Sequence, residues 1–182
     1  SICYTQCHFK NNIWFFDKKD ISKTDNIYNL CFDYCTFEEE FNCDFYADNM
    51  PRCNITALNI QNSTFKKSIK FNKCNINSSY MFSNNTIFGT SDFEDITFKE
   101  AYFIRNKFND VVSFKQSYFD SFTFKENTFD KLAIFEDTTF KSKLNLKGNI
   151  FKDEINFLGI KNENGKSLET ANIVNRETAR II

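Results

Sequence analysis

The sequence predicts an all-β solenoid, a four-sided coil of about seven turns closed by a short C-terminal α-helix. Three observations predict it. Apolar residues recur in steps of five with one step of six per cycle, and the whole cycle then repeats, from Phe93 to Phe114 to Phe135. The corners are turned almost without glycine: 182 residues hold 24 Phe and 7 Tyr but only 4 Gly and 1 Pro. Asn, Asp and Ser are expected at those corners instead.

The spacing is clearest from Phe93 onward. Phe93, Phe98, Phe103 and Phe108 are followed by Phe114, Phe119, Phe124 and Phe129, then by Phe135 and Phe140. Phe71 and Met50 open earlier units of 22 and 21 residues. A strand alternates at two and a helix repeats at 3.6, so neither explains a period of five. A coil that presents one central residue inward on each of four sides does. Turns stacked at the β-strand spacing of about 4.8 Å place equivalent positions over one another. Phe98, Phe119 and Phe140 then form one aromatic column, and Phe103 and Phe124 another. The expected core is Phe45, Ile55, Ile60, Phe65, Phe71 and Ile76, together with the Phe residues from Phe93 to Phe140 named above. A leucine-rich repeat needs unevenly spaced apolar residues, and a hexapeptide β-helix needs steps of six. Neither fits.

The residues before each centre add an order: Cys43-Asp44-Phe45, Cys53-Asn54-Ile55, Leu58-Asn59-Ile60, Ser63-Thr64-Phe65, Cys74-Asn75-Ile76 and Ser91-Asp92-Phe93. Small, then polar, then apolar resembles the bacterial pentapeptide-repeat family over about residues 30–157, and more weakly at Cys7-His8-Phe9. The resemblance implies a right-handed quadrilateral β-helix, with the centre and the small residue two before it both buried. Bulky groups at Ile96, Phe122 and Leu132 depart from the pattern.

In chain order, residues 1–160 form the solenoid, of which 1–31 carry the repeat poorly and read as an irregular N-terminal cap or coil. Residues 161–182 read as a turn at Asn164-Gly165 and a capping helix started by Ser167 or Thr170. Ala171, Val174, Thr178 and Ile181 share one side of that helix. It covers the open end of the solenoid or serves as a homodimer contact. The chain starts without Met and ends inside this helix, so it is expected to be a piece of a longer protein.

Composition narrows the function classes. Lys and Arg number 23 against 24 acids, which gives no global field for nucleic acid or an anionic membrane. No apolar run spans a bilayer and no leader is visible, so a cytoplasmic location, or the cytoplasmic face of a membrane, is expected. His8 is the only histidine and no glycine-rich phosphate loop exists, so catalytic and cofactor residues are expected to be none. The seven cysteines lack zinc-site spacing. Cys7, Cys35, Cys43, Cys53 and Cys74 each precede a centre by two and read as small buried groups, with no metal assigned. Cys53 and Cys74 should stack in neighbouring turns.

Outward charges alternate in sign from one turn to the next, as Glu94, Lys115 and Glu136 and as Lys99, Asp120 and Lys141. One segment stands out: residues 1–50 hold four basic groups against nine acids, a net of −5, whereas residues 51–92 net +4. Asp33, Glu38, Glu39, Glu40, Asp44 and Asp48 therefore form the candidate partner surface. The expected function is a non-enzymatic protein-binding or scaffold domain whose partner is another protein. The alternatives are a DNA-mimicking modulator of gyrase or topoisomerase, which the resemblance implies, and a soluble module of a membrane-associated protein.

Overall fold

A computed structural model of the chain describes residues 2–14, 26–27, 29–44, 52–166 and 180–182. The strands assemble into three sheets of ten, seven and eight strands, wound as a parallel solenoid of about five turns. Strand Thr97–Ile104 carries two inward phenylalanines, Phe98 and Phe103. The same turn continues through Lys107–Phe108 and Val112–Ser113. Tyr118–Lys125 lies parallel over Thr97–Ile104, with Phe119 opposite Phe98 and Phe124 opposite Phe103. A side chain thus meets its equivalent in the next turn. The expected count of seven turns depends partly on segments outside the described residues.

Burial follows the period of five. Phe71, Phe93, Phe98, Phe103, Phe108, Phe114, Phe119, Phe135 and Phe140 are all fully buried, and Ile55, Ile60, Phe65, Ile76, Phe124 and Phe129 are buried with them. Phe45 lies outside the described residues. Phe119 stacks on Phe98 and Phe140 with ring centroids 4.7 and 5.2 Å apart. Phe124 stacks on Phe103 at 4.9 Å. Each stacked pair contributes about 0.5–1.5 kcal/mol beyond area burial.

One inward column is polar. Asn85, Asn106, Asn127 and Asn149 are buried in successive turns, two residues before their centres. The backbone N–H of each of Ser63, Asn85, Asn106 and Asn127 donates to the side-chain carbonyl of the next asparagine, at 2.9–3.0 Å. The side-chain amides of Asn85, Asn106 and Asn127 donate to the carbonyls of Ile60, Phe82 and Phe103. Buried polar groups persist only when satisfied. Here the stacking satisfies them.

The corners meet the expected Asn, Asp and Ser only in part. Left-handed backbone occurs at Asn62, Asn84, Arg105 and Glu126 on one corner and at Lys73, Asp95, Gln116 and Asp137 on another. For Arg, Glu, Lys and Gln this conformation costs about 1–2 kcal/mol. The backbone N–H of Arg105 donates to the Lys125 carbonyl and that of Gln116 to the Glu136 carbonyl, both at 2.9 Å. Hydrogen bonding between turns therefore overrides local preference.

The N-terminal register also differs from a uniform period. Phe9, Phe37 and Phe65 lie over one another, as do Ile13, Phe41 and Ile69, at a spacing of 28. Regular strands run through Ile2–Thr5, His8–Phe9 and Ile13–Trp14, within the stretch expected to be an irregular cap. Phe71 pairs with Cys43, not with Met50. Residues 15–25 and 45–51 lie outside the described residues; the described segments on either side stack in step.

At the C-terminus, Gly165 has φ +73° and its N–H donates to Asn162, which makes the expected turn. Arg180–Ile181 is a strand paired with Glu154–Asn156, so Ile181 extends a sheet where a helical position was expected. The rest of the expected helix, at 167–179, lies outside the described residues. Among the described residues no helix is long and apolar enough to cross a membrane.

Candidate functional site

The outward charge columns are ion pairs. Asp120 bridges Lys99 and Lys141 at 2.5 and 2.7 Å, and Lys115 meets Glu136 at 2.6 Å. Glu94 accepts a hydrogen bond from the Ser113 hydroxyl. The two lysines hold the Asp120 carboxyl below its ordinary value. Glu136 thus belongs to a pair, and Asp95 bonds to Arg52 at 2.9 Å. The adjacent carboxylates at 94–95 and 136–137 are parts of this surface lattice.

The longer N-terminal register sets the acidic segment against the basic one. Glu38 lies between His8, at 2.6 Å, and Lys66, at 3.0 Å. Hydrogen bonds from Lys66 and then His8 hold its carboxyl low. Glu40 approaches Lys70 at 4.0 Å, and Asp33 accepts from the Asn62 amide. Glu39 is exposed; Asp48 and the Asp44 side chain lie outside the described residues. Two acids of the first block, Glu38 and Glu40, thus face two lysines of the second, Lys66 and Lys70, across turns. His8, the one histidine, is engaged by Glu38 on the surface.

One face is different. Asn59, Met81, Tyr102 and Thr123 form an outward row across four neighbouring strands, and Gln61, Ser83 and Ile104 form a second. The first row carries no charge; the second runs on into Asp33 at one end and Lys125 at the other. The members of both rows come from turns of unequal length and do not recur as one residue type, so period counting passes over them.

The densest chemistry is inside. Cys43, Cys53 and Cys74 are buried, and their three sulfur atoms all lie within 4.8 Å of one another. Cys53 and Cys74 are register partners, as their spacing predicts. Cys43 joins them through the longer register. It does not take the small position expected of it: it occupies the centre of the column that continues as Phe71 and Phe93, while Phe41 fills the small position. The Cys74 thiol donates to the carbonyls of Asn72 and Cys43 at 3.3 and 3.6 Å.

Hydrogen bonds from Cys43, then Cys74, bring the Cys53 thiol down to about 5, whereas burial pushes Cys43 well up. The Tyr80 hydroxyl is buried without a hydrogen-bond partner, and burial and charge on Cys43 push its pKa up. Arg52 bears on Cys74 electrostatically, and its Nε is also buried and unpartnered. Two further pairs stack in register nearer the N-terminus, Cys3 over Cys31 and Cys7 over Cys35. Burial and the Cys3 thiol push Cys31 up to about 12.

No protein-family model, curated protein or solved structure matches the chain.

Proposed function

We propose that the chain is a right-handed, four-sided pentapeptide-repeat solenoid that acts as a non-enzymatic protein-binding scaffold. The observation that carries this reading is the uncharged row of Asn59, Met81, Tyr102 and Thr123. Met81 and Tyr102 stand between Asn59 and Thr123 on the longest strands, and the ion pair of Lys99 with Asp120 lies further along those strands. Depletion of charge with Met and Tyr at the centre is the composition of an interface core. Parallel strands hold the rows rigid, so little entropy is lost when a partner docks. A DNA mimic needs a continuous acidic face, and Glu38, Asp120 and Glu136 are each matched by lysine.

Affinity capture from the source cells, compared between Tyr102→Glu and Lys99→Glu, tests the reading. One partner retained by wild type and by Lys99→Glu but lost with Tyr102→Glu supports it. A partner lost only with Lys99→Glu, or a substrate turned over by the pure protein, overturns it.

A further inference from the structure

The column that holds Cys43 is filled in later turns by Phe71, Phe93, Phe114, Phe135 and Phe157. Packing alone favours a large ring there, yet the chain places a thiol beside two others drawn from separate strands. We propose that Cys43, Cys53 and Cys74 form a three-thiolate site for one soft monovalent d10 ion of the Cu(I) kind.

Ligand type, number and spacing each support this choice. Thiolates select soft ions. Among the described residues the cluster offers three sulfurs and no fourth His, Cys, Asp or Glu ligand. Structural zinc is almost always four-coordinate, whereas a monovalent soft ion is content with three sulfurs in a plane. Separations within 4.8 Å need only slight contraction to seat one ion. An iron–sulfur cluster holds its cysteines further apart.

The surroundings point the same way. Tyr80 is fully buried with its hydroxyl unpartnered, and charge on Cys43 bears on it electrostatically. Once the ion binds, each ligating thiol loses its proton to solvent. Arg52 supplies positive charge at Cys74, which offsets part of the negative charge of the loaded site. Burial keeps the ion from water and from other ligands.

The test uses the full chain, reduced and under inert gas, with Cu(I) competed against a chelator and Ag(I) as a redox-inert probe. The expected result is uptake of one equivalent through Cys43, Cys53 and Cys74, with a sulfur-only shell of three atoms by X-ray absorption and a raised melting temperature. Cys74→Val, which keeps an apolar group of similar size, should weaken this uptake about a hundredfold or more. The pair Cys3→Ser with Cys31→Ser should leave it unchanged. Circular dichroism establishes that Cys74→Val retains its sheets; if it does not, the X-ray absorption shell of the unaltered protein decides. Uptake indifferent to Cys74→Val in folded protein, a two-sulfur shell, preference for Zn(II), or no uptake by the reduced chain would each overturn the proposal.

Discussion

The side-chain carbonyl of Asn127 accepts the backbone N–H of Asn106 at 3.0 Å, one turn of the solenoid away. The Asn127 amide donates to the Phe103 carbonyl at 2.7 Å, and its neighbours Asn85, Asn106 and Asn149 repeat the arrangement. Removing one rung strands the Asn106 N–H and the Phe103 carbonyl in the neighbouring turn. Asn127→Ala should therefore cost about 2–4 kcal/mol. Asn127→Ser should cost less, because Ser63 in the same column accepts the Cys35 N–H and donates to the Gln61 carbonyl. Chemical denaturation of the two variants checks the order; equal losses would contradict the ladder's role.

The aromatic columns predict a separate loss. Phe119 touches rings above and below at 4.7 and 5.2 Å. Phe119→Ala should destabilise by about 3–5 kcal/mol, and Phe119→Leu by much less. A loss under about 1 kcal/mol for the alanine variant would mean that the column collapses around the gap.

Close approach between turns makes Gly89 irreplaceable. A methyl group there would lie 2.6 Å from backbone atoms of Lys67 and Ser68 in the adjoining turn. Backbone cannot yield as a side chain can. Gly89→Ala should cost about 1–3 kcal/mol, read from the melting temperature, while Gly148→Ala meets no neighbour and bears only the strain of its φ of +82°.

The Asp120 bridge gives a pH signature. Its carboxyl is held below 3.8 by hydrogen bonds from Lys141 and Lys99. A lowered folded-state pKa contributes stability that is present above the unfolded value and lost as pH falls through the folded one. Asp120→Asn should thus lower the melting temperature at neutral pH, with the difference from wild type closing below about pH 4. A difference that stays constant down to strong acid would contradict this assignment.

The solenoid is legible in the sequence because its core repeats one residue type. Phe98, Phe119 and Phe140 announce a period that propensity alone would not reveal. The same spacing locates the charge columns at Lys99, Asp120 and Lys141. It misleads where turns change length: it sets Phe71 over Met50, while the structure sets Phe71 over Cys43. Two longer N-terminal turns shift the register, and an insertion leaves the apolar residues evenly enough spaced to hide it. The thiol cluster is half legible for that reason. Cys53 and Cys74 share the shorter register, but Cys43 joins only through the longer one. The asparagine ladder also recurs once per turn and is present in the letters. Composition points to asparagine as a corner residue, however, and its burial follows from satisfaction by the neighbouring turn.

The longer N-terminal register joins these results, since it sets Glu38 against Lys66 and Cys43 against Cys53 and Cys74. Glu39 and Lys67 are both exposed and lie opposite each other in that register, two residues past Phe37 and Phe65. Stacked strands about 4.8 Å apart bring such a pair within disulfide range. Mild oxidation of the Glu39→Cys, Lys67→Cys double variant, read by peptide mapping, tests the register most directly. A disulfide between the two introduced thiols is predicted, with none in Tyr46→Cys, Lys67→Cys, the pairing that a uniform period requires. The reverse outcome would contradict the register and, with it, the thiol cluster.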